Sequence, residues 1–510
     1  MSPRSSTDRP LARIGLPNAS SWVAVGTVAA FVIAAASSTL ATSEVLVAAK
    51  DWVIQHFDWL FILVATLSIA GVAGLAIHPR ANVRLGPEDS RPEFGNLSWF
   101  AMLFSAGLAS GLLYWATAEP ILHRQGNPFL EGPGAVPGDA ATTMAMRLTV
   151  LHWGLHGWAF YVLAGLGIAI YSYRHDRPLT FRSALYPVLG AKHVDRWPGL
   201  AVDLIALFGT ICGVATSIGI SAAGMNATLG SLLGLQVSIS SQIAIVFGVC
   251  VLGILSALSG LDRGIRRLSE LNVWVSGLLL VVFVLLGPTV FLGGLLVETV
   301  IDYVIYVLPT GLWLADTPEQ QDWQASWTVF YWGWWLAWTP FVGVFIARIS
   351  KGRTLREFAV AVMLVPTLVI LVWMSVLGGT ALYQELAVPG SVSVAVNRDY
   401  SLGIVAVIEN LGRPVIGTLL TLTAAFLLFT WLITSLDSAT LVICHLLGAD
   451  EAPPAKVFWG LALAAVTAVL LLVGGLPALQ ASSIVIGFPL AGIMVFLGGG
   501  ILWDLARRRL

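Results

Sequence analysis

Residues 327–354 read WTVFYWGWWLAWTPFVGVFIARISKGRT. No charged residue occurs from Trp327 to Ala347, and the run then closes on Arg348, Lys351 and Arg353. A helix that crosses a bilayer needs about 20 mostly apolar residues, and cations collect at its cytoplasmic end. The stretch is therefore read as a transmembrane helix. Tryptophan sets it apart: Trp323, Trp327, Trp332, Trp334, Trp335 and Trp338 fall within 16 residues. An interfacial aromatic belt accounts for Trp323 and Trp327 at the outer end. It does not account for Trp338, which lies about 20 Å along the helix from a start near Ala325. Trp335 and Trp338 are spaced i,i+3 and are expected to share a face. Indoles at that depth suggest the wall of a pocket.

The rest of the chain has the same character. Of 510 residues, 57% are hydrophobic and 11% charged, with a mean hydropathy of +0.84. A soluble domain carries about 25% charged residues, so a soluble enzyme and a disordered chain are excluded. A net charge of −1 gives no field to steer a polyanion, which excludes a nucleic-acid binder. Cys212, Cys250 and Cys444 each sit in an apolar run and read as small buried hydrophobes, with no disulfide or transition-metal framework.

Twelve apolar runs are long enough to span: near 21–42, 56–77, 96–118, 143–171, 199–229, 240–258, 268–292, 325–347, 358–382, 414–445, 456–474 and 478–503. The expected class is an all-α integral membrane protein with 12 transmembrane helices. Assigning the loops alternately to two sides puts 22 Lys and Arg on the side of the N-terminus and 4 on the other, with Arg147 inside a span. That asymmetry predicts an inner (plasma) membrane protein with both termini cytoplasmic. Segment 293–312, GGLLVETVIDYVIYVLPTGL, would break the parity if it crossed. It carries Glu298 and Asp302 and is read as an amphipathic helix on the outer surface.

Four further motifs carry chemistry. The third run holds FSAGLASGLLYW (104–115), whose Gly107, Ala109, Ser110 and Gly111 allow either close helix packing or an unwound stretch on a substrate path. Pro340 and Gly343 mark a comparable weak point in the eighth run. The fourth run holds HWGLHGWAFY (152–161), which places Trp153, Trp158 and Tyr161 within an arc of about 140°. His152 and His156 have the i,i+4 spacing of metal ligands, but no third ligand or carboxylate is apparent beside them. The tenth run holds FTWLITSLDSAT (429–440). Thr434, Ser435 and Ser438 either bond back to their own helix or, for Thr434 and Ser435, offer oxygens to a hard cation. Asp437 is a rare charge in an apolar run. Arg147 is explained by snorkelling, or by drawing in a carboxylate. An aromatic box suits a quaternary ammonium, which has no N–H to donate and is held by cation–π contacts worth up to about 2 kcal/mol each.

Residues 327–354, HWGLHGWAFY, AEP (118–120) and TSLDSA (434–439) together resemble the betaine/carnitine/choline transporter (BCCT) family, in the right order across spans three to ten. The resemblance implies a LeuT-type fold. Two accessory helices (21–95) would precede inverted repeats at 96–292 and 325–503, joined by the outer helix and loop 293–324, with short tails at 1–20 and 504–510. It implies a homotrimer with 293–312 as a contact. It implies substrate binding by Trp153, Trp158, Tyr161 and Trp335, with Trp334, Trp338, Phe330, Gly107 and Gly111 on the path. A sodium site would use Thr434 and Ser435 with backbone near Ser105 and Leu108, and Thr210 and Ser217 are looser ion candidates. The Gly-x-Gly-x-Gly pattern of sodium-coupled betaine carriers is broken here by Ala109, and Trp431 stands where phenylalanine is expected. The long charged tails of osmosensing members are missing, so tail-based osmotic activation is not expected.

The function expected is import of glycine betaine, choline, carnitine or a related osmolyte by alternating access, with sodium as coupling ion and no other cofactor. The alternatives are proton-coupled transport of choline, a sulfonium compound or ectoine, with Asp437 as the residue to test, and a membrane metalloenzyme using His152 and His156. A passive channel is disfavoured because no charged ring or filter loop is visible.

Overall fold

The structure is a computed structural model describing residues 19–108, 111–130, 140–259, 265–449 and 452–507. Nineteen α-helices account for nearly all of them. They are α1 Ala19–Ser37, α2 Thr39–Ile77, α3 Asn96–Leu108, α4 Gly111–Gln125, α5 Ala141–Trp153, α6 Leu155–Arg174, α7 Tyr186–Val194, α8 Trp197–Leu233, α9 Ile239–Ser259, α10 Ile265–Leu286, α11 Thr289–Gly311, α12 Pro318–Gln324, α13 Phe330–Ile349, α14 Leu355–Ala387, α15 Ser393–Arg398, α16 Gly403–Glu409, α17 Pro414–Leu446, α18 Pro453–Gly474 and α19 Leu476–Ala506. Among the described residues the β component is a single bridge between Arg84 and Thr354. In a bilayer the backbone must satisfy itself within each segment, which leaves helices as the solution for such apolar runs.

Twelve of these helical stretches are long and apolar enough to cross a membrane. The chain is a multi-pass membrane protein. The twelve include Thr289–Gly311; in 96–125 the described residues form α3 and α4, of 13 and 15 residues, on either side of Ala109 and Ser110, which lie outside the described residues. Loop contacts bear on whether α11 crosses. Leu85 N–H donates to Arg353 O at 2.8 Å, and Gly352 N–H donates to Leu85 O at 2.8 Å. The Arg174 guanidinium reaches Arg84 O and Gly86 O, and Arg80 reaches Leu505 O. The loops after α2, α6 and α13 and the end of α19 therefore meet on one side. Between Arg174 and Gly352 lie α8, α9, α10 and α13, an even number of crossings. A full crossing by α11 would make it odd and pull these loops apart. An even number of crossings between these loops is also what the Lys and Arg count predicts.

Three sequence expectations change in detail. The connector expected between the first two runs is helical, because α2 runs unbroken through residues 43–55 from an N-cap at Ser38. The fourth run is two helices, α5 and α6, parted at Gly154. The break expected at Pro340 does not occur: α13 is continuous through it, and Thr339 Oγ1 donates to Trp335 O at 2.8 Å in the turn where proline removes a donor. The irregular turn lies earlier, as a π-turn at Ala325–Val329. Gly343 instead seats α13 on α6, where a Cβ would meet Ala164 Cβ at 3.0 Å.

At the centre, α13 packs on α6, α8 and α19 and is buried almost throughout. α11 buries Leu292, Leu295, Thr299 and Tyr303 and exposes Val290, Val297, Ile301 and Val304. Its two acids turn toward α5: Asp302 pairs with Arg147 at 3.0 Å, and Glu298 accepts from Thr143 at 3.2 Å. Arg147 is thus buried in an ion pair, with its guanidinium over the Tyr306 ring at 4.4 Å, and does not snorkel free.

Candidate functional site

The ring cluster is made by the ends of α5 and α6 meeting the middle of α13. The chain turns at Gly154, where a Cβ would lie 2.6 Å from the Tyr303 hydroxyl and 2.7 Å from Val150 O. The Tyr303 hydroxyl accepts from Leu155 N–H at 2.9 Å, which satisfies one open donor at the start of α6. Breaking the helix also frees carbonyls at the end of α5, and Trp335 Nε1 donates to one of them, His152 O, at 2.8 Å.

Trp335 is the hub. Its ring centroid lies 5.0 Å from Tyr161, 5.9 Å from Trp158 and 6.3 Å from Trp153. Trp158 and Tyr161 meet edge to face at 5.4 Å. All four are buried. A Cβ at Gly157 would collide with the Trp335 indole, so glycine there is what lets the ring lie against α6.

Trp334 and Trp338 form a second line, facing α8. Trp334 stacks on Phe330 at 5.6 Å and 12°, meets Trp153 at 5.8 Å and donates to Gly213 O at 3.3 Å. A Cβ at Gly213 would come within 2.6 Å of Trp338. The expectation that Trp335 and Trp338 share a wall is corrected. Three residues leave a gap of about 60° around a helix, which here separates a ring on α6 from a ring on α8. α4 abuts both lines at its first residue: a Cβ at Gly111 would lie 2.8 Å from Trp334 and 2.9 Å from Trp153. α3 ends at Leu108. Ala109 and Ser110 lie outside the described residues, as do the side chains of Ser105 and Leu108, and Gly107 is described only as helical backbone.

Behind the cluster sits a polar group that sequence reasoning missed. Glu119 is fully buried on α4. Its Oε1 is 2.7 Å from His152 Nδ1 and 3.1 Å from His123 Nε2. Its Oε2 accepts from Trp153 Nε1 at 2.8 Å and from the Tyr331 hydroxyl at 2.5 Å. His152 stacks on Tyr331 at 4.7 Å and 6°. The ligand atoms of Glu119, His123 and His152 lie within 4.8 Å of one another, the spread of a metal-binding group. His156 stays apart, stacked on Trp332 at 5.0 Å, with neither ring nitrogen hydrogen-bonded among the described residues. The His152/His156 pair is therefore not a ligand pair. The signals for the true group were present: a charge within a span, and Glu119 and His123 at i,i+4.

The hydroxyl residues behave differently. Thr434 donates to Trp431 O at 2.9 Å, Thr210 to Ala206 O at 2.9 Å and Ser217 to Gly213 O at 3.2 Å, each within its own helix. Ser435 Oγ is buried and has no partner among the described residues. α17, which carries Thr434 and Ser435, packs against α3. Asp437 accepts from Ser256 Oγ at 2.6 Å, so its partner is a side chain of α9 and not neighbouring backbone.

A profile of betaine/carnitine/choline family transporters (BCCT) matches residues 20–509. The chain belongs to this family. It is 35% identical over 96% of its length to the glycine betaine transporter OpuD of Bacillus subtilis, covering 94% of that protein. It is 36% identical over 88% of its length to a high-affinity choline transport protein of Escherichia coli K12, covering 66% of it. A glycine betaine/proline/choline/ectoine transporter of Vibrio parahaemolyticus is 36% identical over 88% of the chain and 80% of its own length. BCCT membership makes the chain a transporter and not an enzyme, so the metalloenzyme reading falls although His152 does meet a carboxylate and a second histidine. The two aromatic lines lie in regions that the BCCT match covers from end to end.

Proposed function

We propose that this transporter imports a methylated onium solute, glycine betaine or choline foremost and carnitine or ectoine as relatives, across the inner membrane. The observation that carries the reading is the packing of Trp153, Trp158 and Tyr161 around Trp335 inside the bundle. Indole and phenol faces attract a quaternary ammonium without a carboxylate in contact, so a zwitterion meets no repulsion. Trp334, Trp338 and Phe330 line the path beside α8. In this reading the fold is LeuT-type, with 96–292 and 325–503 as inverted repeats, and alternating access rocks one bundle against the other. The exposed apolar face of α11 is the contact of a homotrimer, and both termini are cytoplasmic.

Sodium is the proposed co-substrate, held by Thr434 and Ser435 with backbone at the end of α3. The unpartnered, buried hydroxyl of Ser435 supports this, because an orphaned oxygen in a membrane interior is costly unless something ligates it. One sodium moving through 100 mV contributes about 2.3 kcal/mol, roughly a 50-fold accumulation of a neutral zwitterion. Proton coupling is the second reading. It is favoured by Asp437 Oδ1, which is buried with no hydrogen-bond partner among the described residues.

A thermal-shift panel tests the reading. Glycine betaine, choline, carnitine, ectoine and dimethylsulfoniopropionate are each added with and without sodium. A ligand at 100 times its Kd stabilises by about 2.7 kcal/mol. Onium ligands are expected to raise Tm, more so in sodium. No shift from any of them contradicts the reading, and shifts that follow pH but not sodium move the coupling to a proton.

A further inference from the structure

We propose that Glu119 supplies the negative charge the ring cage itself lacks, acting through the indole N–H of Trp153 as a positioning and affinity-setting residue; this rests on the onium reading above.

The carboxylate receives four donors. Trp153 Nε1 and the Tyr331 hydroxyl reach Oε2 at 2.8 and 2.5 Å, and His152 and His123 reach Oε1 at 2.7 and 3.1 Å. Four donors on two oxygens is the setting of an ionised acid, which offers only acceptors. The His123 imidazole is neutral by the same accounting: its Nδ1 has no partner among the described residues, so a second proton on that ring would be an unsatisfied buried donor. His152 Nε2 faces Thr328 Oγ1 at 3.2 Å. The negative charge of the group sits on the carboxylate. Its ion-pair partners among the described residues are those two imidazoles, with no Lys or Arg.

A charge in a membrane interior is expensive unless it is well partnered, and four converging donors call for an acceptor-only carboxylate, which an amide would meet with an N–H turned toward one pair of them. The carboxylate thus holds the rings, and its position gives its charge a second effect. Trp153 is the one cage ring whose N–H points at Glu119, while its far edge lies 2.9 Å from the Cβ position of Gly111 and its ring meets Trp335 nearly perpendicular at 6.3 Å. Donation to an anion is a charge-assisted hydrogen bond. It shifts electron density into the indole and deepens the negative face that an onium head meets. The charge also acts directly across a low-dielectric interior, where it is weakly screened. The cage thus gains cation preference without a carboxylate in contact with the solute.

The test compares Glu119→Gln with the wild-type protein in detergent, using two ligand pairs matched in shape and differing in charge. Choline is set against its tert-butyl analogue, in which carbon replaces nitrogen, and glycine betaine against tert-butylacetate. Kd values come from calorimetry or competition. Glu119→Gln is expected to weaken both onium ligands about tenfold, or about 1.4 kcal/mol, and to leave the carbon analogues within about twofold or tighter. Equal weakening of onium and carbon ligands shows a merely structural role and overturns the proposal; so does unchanged onium affinity. Trp153→Phe keeps a ring without the N–H. It is expected to show an onium-selective loss and to shrink, without abolishing, the effect of a further Glu119→Gln change. If Glu119→Gln does not fold, Glu119→Asp, which keeps the charge and withdraws it from Trp153, takes its place: an onium-selective loss supports the proposal, and equal loss for the carbon ligands overturns it. Failure of wild-type protein to bind any onium ligand defeats the parent reading instead. Retained binding with an unchanged onium preference in both variants defeats only this inference.

Discussion

The ring side of the molecule, α6 against α13, and the hydroxyl side, α8 and α17, differ in where their bonded polar atoms find partners. On the ring side Trp158 Nε1 and Trp338 Nε1 have no partner among the described residues, and the bonded donors reach other helices. Trp335 is tied to His152 O, Trp334 to Gly213 O and Trp153 to Glu119. Each ring also rests where a glycine leaves room. On the hydroxyl side Thr434, Thr210 and Ser217 bond back to their own helices, and Ser435 bonds to none of the described residues. The first arrangement is preorganised across helix boundaries and resists change. The second can exchange a weak local bond for a ligand at little cost. A cage for a bulky apolar cation benefits from rigidity, and a site for a small hard ion benefits from free oxygens.

The sharpest way to break this contrast is Trp335→Leu. It removes the ring shared by the other three, and with it cation–π contacts worth up to about 2 kcal/mol each. Saturable uptake of labelled glycine betaine into proteoliposomes is expected to vanish while the protein still inserts and stays monodisperse. Next is Gly157→Ala. Its added methyl strikes the Trp335 indole, an overpacking cost of about 1–3 kcal/mol. Half-saturation for the solute should rise ten- to hundredfold, measured by uptake against concentration, and an unchanged value would mean the ring is not held tightly.

The hydroxyl side predicts smaller numbers. Thr434→Ala with Ser435→Ala is expected to raise the sodium concentration for half-maximal uptake several-fold, with solute affinity at saturating sodium nearly kept. Ser435→Ala alone breaks no hydrogen bond among the described residues, so its stability should stay within about 0.5 kcal/mol of wild type while the sodium requirement rises. A large drop in Tm would show that this hydroxyl has a structural partner. The smallest effect on transport is expected of Tyr303→Phe, which removes the cap on Leu155 N–H at about 1 kcal/mol. A fall in Tm of about a degree, with uptake kept, checks it.

Much of this was legible in the sequence, for reasons of range. Span positions, loop parity and the tryptophans of the eighth span depend on local composition. What was not legible depended on contacts between helices. Pro340 reads locally as a break, yet α13 is packed on all sides and continues through it. Gly154 reads as one small residue in a long helix, and only Tyr303 from α11 shows why the chain parts there. Trp335 and Trp338 diverge because different neighbours, α6 and α8, claim them. His152 and His156 look paired by spacing, but the partner of His152 is Glu119, 33 positions away.

The most direct measurement is an experimental structure with glycine betaine or choline bound. The account predicts the ammonium nitrogen within about 6 Å of the centroids of Trp153, Trp158, Tyr161 and Trp335. A solute lodged elsewhere, with those four rings still packed on one another, would contradict it.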